Sequence, residues 1–245
     1  MLWLLILSLG MVAGTVGGVV GFGGSTILLP ALVLAFGAKA AVPIMGIAAL
    51  LANLSRVAAW WRLVDWRAAA IYSLTGVPAV ALGARTFLQL DARLVEAVLG
   101  VVMILMVPAR RWFLSRNFKI GFGGLALAGA GIGFLTGMVA STGPINTPFF
   151  LAYGLGKGAF IATEALGSLS VYVTKTLVFQ RFGALPWDLV LKGVVVGVAM
   201  MAGSWVAKSI LQRLSLQQFQ VVMDALMLAS GLIMIWGALA AASLP

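Results

Sequence analysis

Histidine and cysteine are absent from the 245 residues, and only 6 acidic side chains stand against 16 basic ones. Without thiols there is no disulfide and no thiolate nucleophile. Without imidazole there is no Ser-His or Cys-His pair and no imidazole ligand for zinc or haem. Charged residues make up 9% of the chain, too few to cover a soluble domain of this size. The formal charge is +10, but the Lys and Arg residues are scattered through apolar sequence rather than gathered in one stretch. That pattern argues against nucleic acid and for topology determinants and anion handling. A Gly-x-x-x-x-Gly-Lys loop is also missing, so neither ATP nor any other cofactor is expected.

What is abundant is apolar sequence, at 62% of residues with a mean hydropathy of +1.12. A helix needs about 20 mainly apolar residues to cross a bilayer, so this length accommodates roughly eight to ten helical membrane segments and no separate soluble domain. The expected class is an all-α integral membrane protein. Apolar runs fall near 2–20, 26–36, 40–61, 68–86, 94–108, 121–140, 147–156, 158–180, 187–207 and 217–240. The stretch from Leu2 to Leu9 is like the apolar core of a signal peptide but lacks a basic leader and a clear cleavage site, so it is expected to be a retained first helix.

Two runs, 26–36 and 147–156, are too short to cross. As helices they would rise about 15 to 17 Å, roughly half of the 30 Å hydrocarbon core. Each follows a break: Gly21-Phe22-Gly23-Gly24-Ser25 in one case and Ser141-Thr142-Gly143-Pro144-Ile145-Asn146-Thr147-Pro148 in the other. Pro30 and Pro148 are 118 positions apart, as are Lys39 and Lys157, while Trp66 with Trp187 and Gly76 with Gly197 are 121 apart. The chain therefore reads as two related halves, 1–109 and 121–245, joined by a cytoplasmic loop over 110–120.

Loop charge bears on their relative orientation. With Arg110, Arg111, Arg116 and Lys119 in the cytoplasm and an odd number of crossings per half, Arg62, Arg67, Lys157, Lys208 and Arg213 join them. That makes nine basic residues against the four of Lys39, Arg85, Arg93 and Arg181. An even number gives seven against six. Inverted repeats with both termini outside are expected, each with a broken or re-entrant half-helix. A re-entrant hairpin plus three full spans has the same parity as five segments.

A helix broken inside a membrane exposes backbone groups that lipid cannot satisfy, so the breaks are candidate sites. The half-helix after each break aims its free N–H groups and positive dipole end inward, which suits an anion. Candidate ligands there are Gly23, Gly24, Ser25 and Thr26 in the first half and Thr142, Gly143, Asn146 and Thr147 in the second. The alternative is that the glycines serve close helix packing. Arg56 and Lys175 lie inside apolar runs, 119 apart, and each could pair with an anion or snorkel to the interface. Asn53 precedes Arg56 by three positions and shares its helix face. Glu164 is the candidate carrier of a coupling proton; the alternative is a structural partner for a donor on another helix. Lys175 is eleven residues further on the same face, about 16 Å along the axis. Asp224 has a similar but weaker claim than Glu164. Asp65, Asp91, Glu96, Asp188 and Lys192, near segment ends, read as interfacial anchors.

Gly21-Phe22-Gly23-Gly24-Ser25 leading to Pro30, then Val64-Asp65-Trp66-Arg67 after a long helix and Gly76 to Gly83 in the next, resembles the TauE/SafE family of sulfite and organosulfonate exporters. The resemblance covers essentially the whole chain as two repeats. Ala162-Thr163-Glu164-Ala165 looks like the family's Ala-x-x-Thr-type turn, whereas Ser141-Thr142-Gly143-Pro144 and Val42-Pro43-Ile44-Met45-Gly46 depart from its usual pattern. The resemblance implies outward transport of a small sulfur-containing anion across a cell inner or plasma membrane, by a multi-pass transporter and not an enzyme. Residue chemistry by itself supports only the negative charge of the cargo. The leading expectation is a secondary transporter of a small oxyanion or organosulfonate, working by rocking of the halves, with Glu164 as the candidate carrier of a coupling proton. Its partners would be that anion and the lipid bilayer. An anion channel, or an importer of a related sulfur or carboxylate anion, stays open; an intramembrane enzyme is disfavoured by the missing histidine and cysteine.

Overall fold

A computed structural model describes residues 2–20, 24–115, 119–140 and 142–210, with isolated helical positions between 225 and 239. The expected run 217–240, with Asp224, lies largely outside the described residues, as do Gly23 and Ser141. Every element among the described residues is helical: α1 (Leu2–Val20), α2 (Gly24–Phe36), α3 (Ala38–Trp60) with a 3-10 turn at Trp61–Leu63, α4 (Trp66–Gln89), α5 (Ala92–Ser115), α6 (Phe122–Met138), α7 (Gly143–Ala152), α8 (Lys157–Arg181) and α9 (Trp187–Ile210). This is an all-α membrane protein.

The two short helices arise at the breaks. α2 has 13 residues and α7 has 10, about 20 and 15 Å of rise. Both begin slightly before the expected positions, because Gly24 starts one and Gly143-Pro144 the other. A proline in the first turn of α7 forfeits no helical hydrogen bond, since the N–H it lacks would have had no partner there. α7 stops at Ala152, and Gly154 then turns the chain with a φ of 101°, a value that glycine adopts without strain. Asp65 and Asp91, expected as anchors, act as N-caps: their carboxylates accept from the N–H groups of Ala68 at 3.0 Å and Leu94 at 2.7 Å. α5 continues through Arg110 and Arg111 to Ser115, so the charged stretch begins on a helix.

α1 and α2 form a hairpin whose open end brings the rings of Trp3 and Phe36 within 5.7 Å. The Lys192 ammonium, at the start of α9, lies over that Phe36 ring. α6 and α7 form a second hairpin, tied by the Ile120 N–H to the Ala152 carbonyl at 3.1 Å and by the rings of Phe122 and Tyr153 at 5.6 Å. The first hairpin opens at the end of the bundle that carries Lys39 and Arg85, the second at the end that carries Asp65. The starts of α2 and α7, at Gly24-Ser25 and Thr142-Gly143, line one cavity between these ends.

The two halves are interlocked. α6 packs along α4 and α1 packs along α9, so each hairpin's long arm leans on a helix of the other half. Both seams depend on glycine. A Cβ on Gly83 would lie 2.0 Å from the Phe134 carbonyl oxygen, and one on Gly14 would lie 1.9 Å from that of Met200. At such separations the backbones themselves are in contact, which gains dispersion in a medium where burial from water gives no drive. α3 and α8 cross at the centre, α3 also packing on α9 and α8 on α4.

By length and composition, α3 with its 3-10 turn (Ala38–Leu63), α4 and α9 over Trp187–Val206 are long and apolar enough to cross a membrane. α8 is not among them despite its 25 residues. Its middle carries Glu164, Ser168, Ser170, Thr174 and Lys175, of which Glu164 and Ser168 face the central cavity and the others bond to neighbouring helices or to the backbone.

Candidate functional site

α2 and α7 present their N-termini to one cavity. Gly24 and Ser25 line it from the first half, Thr142 and Gly143 from the second, and Asn53, Arg56 and Glu164 complete the polar wall. The cavity is narrow, about 40 Å³ at the centre of a rolling water. One water needs about 10 to 15 Å³ by that measure, so a few waters or one small oxyanion fit.

The carboxylate of Glu164 organises this wall. Arg56 Nη1 donates to Oε2 at 3.2 Å, joining α3 to α8 across the two halves. Asn146 Nδ2 of α7 and Ser168 Oγ, one turn further along α8, donate to Oε1 at 3.0 and 2.7 Å. Arg56 Nη2 donates to Asn53 Oδ1, and Asn53 Nδ2 to the Ala49 carbonyl at 2.8 Å. The side chains of Arg56 and Glu164 are 12% and 3% exposed, so the pair is drawn out of solvent and its charges are compensated by each other. Asn146 is itself buried, and its Oδ1 has no hydrogen-bond partner among the described residues.

The expected ligands divide. Gly24, Ser25, Asn53, Arg56, Thr142, Gly143 and Glu164 line the cavity. Thr26 lies in α2, with no description of its side chain. Asn146 does not itself line the cavity but donates to Glu164, which does. Thr147 turns its hydroxyl back to the Gly143 carbonyl at 2.9 Å. Lys175 neither snorkels nor lines the cavity: fully buried, its ammonium donates to the carbonyls of Thr136 at 2.6 Å and Val139 at 2.7 Å, capping the C-terminal end of α6. A cation is favoured there because the last carbonyls of a helix lack partners and carry the negative dipole end.

Ser168, Tyr72, Tyr172, Thr136 and Ser204 also line the cavity and were not among the expected ligands. Ser168 follows Glu164 by four positions, a spacing that places both on one helix face. Tyr72 and Ser204 carried no such signal, since α4 and α9 reach the site only through packing.

Helices that stop halfway, with their N-termini and a buried basic residue around a small polar cavity, are the construction of a membrane transporter. The model of the sulfite exporter TauE/SafE family matches residues 6–234, and the chain belongs to that family. Its members are transporters and not enzymes. Neither a curated protein nor a solved structure matches the chain.

Proposed function

We propose that this protein is a secondary transporter that exports sulfite, an organosulfonate or a similar small oxyanion, by alternating access and with Glu164 carrying a coupling proton. In this reading the halves are inverted repeats in the cell's inner or plasma membrane, with both termini and the Lys39 end outside. Gly24, Ser25, Asn53, Arg56, Thr142 and Gly143 bind the anion.

The observation that carries the reading is the Arg56–Glu164 ion pair between two half-helix N-termini in one cavity. Each N-terminus is equivalent to about half a positive charge. With Arg56 and an ionised Glu164 the wall sums to about +1; when Glu164 takes a proton it sums to about +2. An arriving anion competes with Glu164 for the Arg56 guanidinium, and protonation removes the competitor. Anion and proton thus bind with positive coupling, the thermodynamic requirement for moving them as a unit, and export of the pair is driven by the anion's own outward gradient rather than by an inward proton gradient.

The test is flux in proteoliposomes with sulfite, sulfonates, sulfate and carboxylates, each with and without a proton gradient. Saturable flux of at least one sulfur oxyanion that responds to the gradient is expected. Flux that rises linearly with concentration and ignores the gradient would instead identify a channel built on the same helix ends. Absence of flux for the whole panel would sink the proposal.

A further inference from the structure

The face of α8 that begins at Glu164 does not end at the cavity. Ser168, Tyr172, Lys175, Phe179 and Phe182 follow at spacings of three and four and form one continuous stripe toward the Lys39 end. Ser168 and Tyr172 line the central cavity, and Phe182 lines a second, wider cleft of about 660 Å³ between the ends of α3 and α4 and the α8–α9 connection. That cleft holds two cationic side chains, Lys39 and Arg85. The Arg85 guanidinium lies 5.6 Å from the Phe182 ring centre. Among the described residues, no carboxylate lines the cleft.

Between Tyr172 and Phe182 on this stripe stands a pair of buried aromatic rings. The rings of Phe87 and Phe179 meet at 5.3 Å and are 2% and 1% exposed, Phe87 facing the cleft. Behind Phe179, at 5.5 Å from its ring centre, is the Lys175 ammonium. Its two carbonyl partners belong to the tip of the second hairpin, and Tyr172 adds a third bond from α8 to that tip, its hydroxyl donating to the Ala140 carbonyl at 3.1 Å. Thr136 connects both sides: its carbonyl holds Lys175, and the residue lines the central cavity.

We propose that the Lys39–Arg85 cleft is an anion-binding vestibule, and that the Phe87–Phe179 pair, latched by Lys175 to the hairpin tip, is the closed gate between it and the central cavity. The proposal rests on the anion-transport reading for the direction of use. An anion leaving the cavity toward this end has to part the two rings, and the stripe of α8 carries it past one buried cation to two exposed ones. Trp60 precedes Phe179 by 119 positions, as Arg56 precedes Lys175, and lies against Gly158 at the Asp65 end. It is the corresponding layer on the other side.

The chain has no cysteine, so single reporters need no altered background. Ala184→Cys places a thiol in the cleft and Ala52→Cys one in the central cavity. Each is labelled in right-side-out and inverted membrane vesicles with impermeant methanethiosulfonates bearing either a sulfonate or a trimethylammonium group. Ala184→Cys identifies the orientation that exposes the Lys39 end. There, the sulfonate reagent should be favoured over the cationic one by about tenfold, as for a cleft lined by one sign of charge. Free methanesulfonate should slow the labelling, and both effects should vanish with Lys39→Gln and Arg85→Gln together. From the same side Ala52→Cys should be protected, and should become reactive with Phe179→Ala, with the milder Phe179→Leu, or with Lys175→Met. Equal rates for the two reagents at Ala184→Cys, or no methanesulfonate protection, would overturn the vestibule. Unchanged Ala52→Cys reactivity in all three gate variants would overturn the gate. Labelling needs no flux, so a protein that moves no anion would refute the transport reading without deciding this one.

Discussion

Replacing Glu164 by glutamine separates the charge of the site from its shape. Glutamine is close in size and its carbonyl still accepts from Arg56; the negative charge is lost, and its amide N–H groups now face Asn146 and Ser168, whose side-chain oxygens have to turn to accept them. Two unit charges about 5 Å apart in a medium of effective dielectric about 20 interact by about 3 kcal/mol. Removing that repulsion between Glu164 and a bound anion should tighten binding by about two orders of magnitude near neutral pH. The same change leaves Arg56 without its ionised partner, and breaking a buried pair costs about 3 to 5 kcal/mol. Glu164→Gln should therefore melt earlier than wild type in anion-free detergent and recover on adding sulfite or methanesulfonate. A ligand at 100 times its Kd restores about 2.7 kcal/mol. The assay is thermal unfolding and calorimetric binding at neutral pH, where Glu164→Gln should bind the anion more tightly than wild type. Proton-driven flux should be lost while anion exchange survives. If the variant binds the anion no more tightly at neutral pH, Glu164 is not the competitor for Arg56 and the coupling scheme is wrong.

Three further outcomes test the frame around the site. Gly83→Ala should fail to give folded, monodisperse protein, because its Cβ would sit 2.0 Å from the Phe134 carbonyl oxygen across the α4–α6 seam. Gly131→Ala in the same α6, with nothing within 4 Å, should leave the melting temperature unchanged or raise it, by helix propensity worth about 1 kcal/mol. Asp65→Ala should lower stability by about 1 kcal/mol in a thermal melt through loss of the α4 cap, with Asp65→Asn recovering most of it.

Residues whose role is dictated by local chemistry were legible in the sequence. Apolar content implied the membrane, because hydropathy summed over some 20 residues does not depend on what packs beside them. The two half-helices were legible for the same reason: Gly24 and Gly143-Pro144 set where they start, and no partner is needed for a glycine or proline to interrupt a run. That Asn53 and Arg56 share a helix face followed from spacing, but not that Asn53 would accept from Arg56 and turn its amide N–H to the Ala49 carbonyl. What spacing cannot supply is a partner on another helix. Arg56 and Lys175 lie 119 positions apart, each inside an apolar run, and carry the same charge, yet one holds Glu164 beside the cavity and the other caps α6 beneath a pair of aromatic rings. That difference comes from α8, which brings its only carboxylate to α3, while at Lys175 the hairpin tip offers bare carbonyls. A buried cation takes whichever acceptor packing places within reach, and that choice is made by tertiary structure alone.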